Sequence, residues 1–265
     1  MVSQKNNVPK TPLVRPQNLL RKVEVCPQAL VIFGFFNWDS LLTEARLVPG
    51  SRKDIKFCSL HTVMVKDQPI TLVGGVMGAP MAAMVLEVLI AFGARHIIGV
   101  GSCGSLDKNL RVGQLVIPQN AIPDEGTSSH YPLPGKKIGA SPRILKMIQS
   151  LCDKKSQTWA CGKVWTTDAV FRETRQKIKM AQQKKARAVE MELSAFFKVG
   201  AFYGAEVGAL LVVSDELFDQ AWNPGYGNKK FKETFVRALD IAVQVLYHQK
   251  GTTEHIHRSA ETVNL

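Results

Sequence analysis

The chain has 265 residues, 45% of them hydrophobic and 21% charged, enough to bury a full core in one α/β domain. Its net charge of +12 suits a nucleic acid, an anionic lipid or an acidic small molecule. No helix-turn-helix, zinc-finger or aromatic-interleaved RNA motif accompanies that charge, so nucleic acid is not the expected partner. The least charged stretch, 73–94, is broken by Gly74, Gly75, Gly78, Pro80 and Glu87, which excludes a membrane span. Cys26, Cys58, Cys103, Cys152 and Cys161 are scattered, odd in number and never spaced C-x-x-C. They argue against a disulfide framework and a zinc site, and for a reducing cytoplasm.

In chain order, residues 1–25 read as a flexible polar arm punctuated by Pro9, Pro12 and Pro16, residues 26–250 as one catalytic domain, and 251–265 as a polar tail. Residues 29–34 (ALVIFG) form a buried strand whose final glycine permits a tight turn beside a ligand. A short helix over 39–47 precedes a basic patch of Arg52, Lys53 and Lys56, then β-rich chain over 55–65 and a strand over 69–76. The turn 74–80 enters a helix over 79–92, with Pro80 in the first turn, where a missing N–H costs least. After a strand over 96–100, Gly101-Ser102-Cys103-Gly104-Ser105 reads as a loop. Its small residues let backbone N–H groups converge on an anion, with the Ser102 hydroxyl as a further donor.

A strand over 114–118 leads to a polar segment in which His130 either faces a site or lies on a surface loop. Ser141-Pro142 starts a helix that runs to 154. A strand over 159–165 and the segment 166–174, containing Phe171, come next. The run 172–187 then carries seven Lys or Arg and one Glu at helical length, the pattern of a solvated helix face.

The chain is organised around 188–217. Glu190-Met191-Glu192 opens a helix whose apolar face is Leu193, Phe196, Phe197, Val199 and Tyr203. The apolar run 207–213 follows as a strand covered on both faces, ending at Ser214-Asp215-Glu216. In open α/β sheets ligands gather beyond the carboxyl ends of strands, which is where Ser214 and Asp215 fall. Each feature also has an ordinary explanation, since carboxylates cap helices and Asp occupies turns. A turn-rich loop over 218–227 and an amphipathic helix over 229–248 complete a pattern of alternating strands and helices.

Gly-Ser-Cys-Gly at 101–104, Glu-Met-Glu at 190–192 and Ser-Asp at 214–215, in that order, resemble the nucleoside phosphorylase and nucleosidase superfamily, in its purine nucleoside phosphorylase and uridine phosphorylase branch. The resemblance implies a single α/β domain whose central mixed, partly barrel-like sheet is flanked by helices. It implies a homo-oligomer, a dimer or a hexamer of dimers, that takes a small-molecule nucleoside and inorganic phosphate, without cofactor or metal. The implied reaction is cleavage of the N-glycosidic bond of a nucleoside, of the purine type given Ser-Asp, as in purine salvage. Asp215 would then protonate the base at N7, while Ser214 and Phe171 hold the base and Glu192, Met191 and Glu190 hold the ribose. Gly34, Gly101, Ser102 and a neighbouring subunit's Arg52 would hold phosphate.

Two family arginines are replaced, one by Trp38 and the other by Gly99. The acceptor therefore stays open between phosphate in an altered site and water, with Asp39 standing in for the nucleosidases' glutamate. A nucleoside-binding protein without turnover is the third reading.

Overall fold

The structure, a computed structural model, describes residues 12–21, 23–34, 38–47, 49–135, 137–219 and 221–249. The elements are α1 (Pro16–Leu19), β1 (Gln28–Phe33), α2 (Trp38–Glu44), β2 (Pro49–Ile55), β3 (Cys58–Val65), β4 (Gln68–Val76), α3 (Gly78–Ala91) and β5 (His96–Ser105). They continue as β6 (Leu115–Asp124), α4 (Pro142–Lys154), β7 (Trp159–Thr167), α5 (Arg175–Gln183), β8 (Ala186–Glu190), α6 (Leu193–Phe202), β9 (Glu206–Glu216), β10 (Asn223–Pro224) and α7 (Lys229–Tyr247).

The strands form one mixed sheet in the order β10-β9-β6-β7-β8-β5-β1-β4-β3-β2, and β9 also pairs with β5. That extra pairing closes β9, β6, β7, β8 and β5 into a ring and leaves β1, β4, β3 and β2 as an open extension. The barrel is thus partial, as the resemblance implied. Alternating residues explain the uninterrupted apolar strands. Ala29, Val31 and Phe33 of β1 pack with α3 and α6, whereas Leu30 and Ile32 pack on the other face with α7 and α4. Both faces of the open sheet are covered. Phe196 and Phe197 of α6 are fully buried, and Phe196 meets Phe33 edge to face at 5.3 Å. Burying one such ring contributes roughly 1.5–3 kcal/mol.

β5 positions the site. It runs parallel to β1 as far as Val100 and parallel to β9 along its whole length, and it meets β8 antiparallel at Gly104 and Ser105. One edge of β5 therefore parts from β1 and joins β8 across Gly101, Ser102 and Cys103. The crevice opens there, at a switch of strand partners.

Residues 101–105, expected as a loop, are the carboxyl-terminal half of β5, because β8 and β9 continue the ladder. In a strand successive N–H groups point to opposite edges, so these cannot converge on one anion as a loop would allow. β9 likewise continues through Ser214, Asp215 and Glu216. Toward the N-terminus, Leu20 and Val23 are buried in the core. Residues 1–11 and 250–265, the latter holding the whole of the expected tail, lie outside the described residues. Among the described residues no helix is long and apolar enough to cross a membrane.

The basic run is divided between a short turn, α5 and β8. Its Lys177 pairs with Asp124 at 2.9 Å and its Arg187 with Asp107 at 2.8 Å, and Ile178 and Ala181 are its buried stripe. It forms a solvated helix face.

Candidate active site

The switch in strand partners opens into a cleft of about 170 Å³. β1 and the residue after it contribute Phe33 and Gly34, β5 contributes Ser102, Cys103 and Gly104, and β8 contributes Val189 and Glu190. Met191, Glu192, Ser214, Asp215, Glu173 and Tyr226 complete most of the wall. Four carboxyl groups line it, and none of the described lining residues is Lys, Arg or His.

The two glutamates of Glu-Met-Glu do different work. Glu190 is buried and accepts from the Thr166 hydroxyl with one oxygen and from the N–H groups of Glu192 and Leu193, both at 2.7 Å, with the other. Glu190 therefore caps α6, with three of a carboxylate's four or so acceptor sites in use. Glu192 is equally buried but, among the described residues, accepts only from Gly78 N–H at 2.6 Å and Met191 N–H at 3.3 Å. Its remaining lone pairs are available to the cleft. Gly78, at φ +78°, opens α3, so Glu192 also lies at the positive end of a 14-residue helix. Burial raises the pKa of both carboxyls, and the charge of Glu190 raises that of Glu192 further.

Asp215 lines the same cleft from the end of β9. Its Oδ1 lies 2.7 Å from the Ser214 hydroxyl and its Oδ2 accepts from the Trp222 indole N–H at 3.0 Å. Tyr226 lines the same wall, and burial, then the charge of Asp215, raises its hydroxyl pKa. These aromatics arrive because β10 pairs antiparallel to the end of β9, setting Pro224 opposite Asp215. Ser214 Oγ also lies 3.2 Å from the Cys103 carbonyl, which ties the end of β9 to β5.

Glu173 was not anticipated. Val170–Arg172 form a 3-10 turn, in which positions three apart lie on one side, so Val170 and Glu173 turn into the cleft. Phe171, the expected base-stacking ring, points outward and is 95% exposed. Burial and then the charge of Asp215 raise the Glu173 pKa from 4.5 to about 7.

A carboxyl whose pKa rises on folding contributes stability that is present below its unfolded value and lost as pH rises through the folded one. Between about pH 5 and about pH 8, thermal scans are expected to show the parent losing Tm relative to Glu173→Gln. Parallel curves would mean that the carboxyl is not held away from water.

The remaining expected site residues divide. Gly34 (φ +90°), Ser102 and Ser214 line the cleft, and Gly101 lies beneath it under Phe33. Arg52 does not reach the cleft of its own chain. It is on β2, four strands from β5, roughly 19 Å at ordinary strand spacing, and it pairs with Asp54 at 2.8 Å and Ser59 at 3.2 Å. His130 is exposed in the turn Thr127–His130. The segment 35–37 and the side chains of Trp38 and Asp39 lie outside the described residues.

Gly99 explains itself structurally. A Cβ there would come within 2.4 Å of the Phe33 ring, and one at Gly101 within 2.9 Å of Phe33 Cβ. Phe33 is held in turn by Phe196. The space that an arginine at position 99 would need is filled by an aromatic ring.

Fold and cleft together define an α/β protein with an acidic cleft at the switch point of a partly closed sheet. Comparison with known proteins gives the class a family. The family model described as phosphorylase superfamily matches residues 38–247. A DeoD-type purine nucleoside phosphorylase of Clostridium novyi is 25% identical over 195 residues, covering 72% of this chain and 82% of that one. One from Bacillus cereus is 28% identical over 183 residues, covering 68% and 77%. Among solved structures, uridine phosphorylase from Vibrio fischeri superposes with a TM-score of 0.75 at 26% identity, covering 85% of this chain and 93% of that one. Purine nucleoside phosphorylase from Toxoplasma gondii, in complex with immucillin-H, shares the fold with a TM-score of 0.73 at 21% identity, covering 89% and 96%. The chain belongs to the phosphorylase superfamily and is an enzyme of that superfamily.

Proposed function

We propose that this enzyme cleaves the N-glycosidic bond of a purine nucleoside. The observation that carries the reading is that one cleft is lined both by Glu192, whose acceptor sites are not all used among the described residues, and by Asp215. The departing base takes up negative charge while the ribose becomes oxocarbenium-like. Glu192 accepts from the 2′- and 3′-hydroxyls, Met191 packs on the sugar, and Asp215 delivers a proton to N7 as the C1′–N9 bond breaks. Ser214 and Trp222 orient the Asp215 carboxyl. Glu190 supports Glu192 by fixing the start of α6.

The relation to nucleoside phosphorylases supports phosphate as the acceptor. That reading draws its cation from outside the described cleft, with Arg52 of a neighbouring subunit in a homo-oligomer as the source. Water is the second reading, favoured by two observations: Phe33 fills the space above Gly99, and the described lining offers four carboxyls and no cation. Repulsion between like charges in a half-buried cleft disfavours a phosphate dianion. Five cysteines without disulfide partners fit action in a reducing cytoplasm.

The test is a panel of adenosine, inosine, guanosine, methylthioadenosine and uridine, with and without phosphate, scored for free base and sugar product. Base release from purines is the expected result. Ribose 1-phosphate assigns phosphate as acceptor, and free ribose without added phosphate assigns water. Release from uridine alone would overturn the purine assignment, and binding without any release would overturn turnover.

A further inference from the structure

We propose that Thr166 is a positioning residue for Glu192, acting through Glu190 and the start of α6. The inference rests on the reading of Glu192 as the acceptor of the ribose hydroxyls and adds what holds that carboxyl in place. Thr166 lies near the end of β7, in register with Glu190 at the end of β8. It is fully buried and does not line the cleft, so it does not meet the substrate itself.

The Thr166 hydroxyl does two things at once. It donates its one proton to Glu190, and its oxygen accepts the Ser194 backbone N–H at 3.0 Å. The other oxygen of Glu190 takes the N–H groups of Glu192 and Leu193, both at 2.7 Å. The first turn of a helix leaves its N–H groups without intrahelical partners, and here those of residues 192, 193 and 194 are all satisfied by this one pair of side chains. Threonine suits the task, because its branched Cβ leaves χ1 few choices and so aims the hydroxyl. Thr166 thus fixes Glu190, and the two together fix the backbone from which the Glu192 side chain departs toward Gly78. The Ser194 hydroxyl adds a brace, donating to Glu125 at 2.8 Å.

Without the Thr166 hydroxyl, the Ser194 N–H and one oxygen of Glu190 lose their partner, and the start of α6 is free to shift. A small displacement of a positioned group costs up to about 10²-fold in rate. Asp215 keeps its setting, because it is held on β9 by Ser214 and Trp222. The effect is therefore expected in recognition of the sugar and not in departure of the base.

The experiment measures kcat and KM for adenosine, inosine and their 2′,3′-dideoxy analogues in the parent, Thr166→Val, Thr166→Ser and Glu192→Gln, with the Tm of each protein. Thr166→Val keeps the shape of the side chain without its hydroxyl. It is expected to raise KM for the ribonucleosides more than it lowers kcat, and to cut the preference for ribose over the dideoxy sugar by about tenfold, the scale of one hydrogen bond to a charged group. Thr166→Ser restores the hydroxyl and is expected to restore most of that preference. A merely structural role would lower turnover of every substrate together and leave the preference alone, and that result overturns the proposal. Should Thr166→Val not fold, Thr166→Cys, of similar size and with only a weak donor, carries the same expectation. Glu192→Gln separates the two readings. If it loses the preference and Thr166→Val does not, only the positioning role fails; if it keeps the preference, the ribose reading fails and the positioning role with it. If nothing is turned over, the preference is read instead from calorimetric binding of adenosine and 2′,3′-dideoxyadenosine, and the same outcomes decide.

Discussion

Asp215→Asn is expected to slow base release by about 10²–10⁴-fold, the usual contribution of a positioned general acid. The amide keeps an oxygen for the Trp222 indole and leaves room for the Ser214 hydroxyl, so the end of β9 retains its shape. It has no acidic proton for N7. The loss is expected in kcat more than in KM, because the proton is needed as the bond breaks. A substrate whose base leaves without protonation, such as a nitrophenyl riboside, is expected to lose far less. Equal losses on both substrates would show that Asp215 only shapes the cleft, and a variant as fast as the parent would remove it from the mechanism.

The second large effect concerns stability. Glu190→Ala leaves the Thr166 hydroxyl and two backbone N–H groups at the start of α6 without their acceptor. Each buried donor left unsatisfied costs about 1–3 kcal/mol, so a net loss of roughly 3 kcal/mol or more is expected after the relief of removing a buried carboxyl. For a chain of this size that lowers Tm by roughly 6–12 °C. Glu190→Gln should lose little, since its amide oxygen can hold the two N–H groups while its NH2 turns to Thr166 Oγ1. Thermal scans of the two variants separate the roles. If both retain parental Tm and both lose turnover, Glu190 is a ligand of the sugar and not a cap.

Most of the secondary structure was legible because it is local. Ser141-Pro142 marks a helix start wherever it occurs, and an unbroken run such as 207–213 can be covered only from both sides. Asp215 and Glu192 were legible for the same reason: their motifs are short and contiguous. The division of labour between Glu190 and Glu192 was not. It depends on Gly78, more than a hundred residues away, donating to one of them, and on α6 turning back over the other.

Glu173 and Phe171 show the limit most clearly. They are two positions apart, and sequence favours the aromatic as a base platform. One 3-10 turn reverses the choice by rotating the ring to solvent and the carboxyl inward. The loss of arginine at position 99 was visible in the chain, but its cause was not, because Phe33 lies far from Gly99 in sequence and touches it only when β1 pairs with β5.

The sequence by itself determined the family, the alternation of buried strands and helices, and the acidic motifs at the carboxyl ends of strands, since these follow from residue type and short spacing. Tertiary structure alone decided which carboxylates face the cleft, which are consumed as caps, and that the cleft's described lining carries no cation. Those outcomes depend on strand pairing and helix approach, which bring together side chains that no local pattern relates.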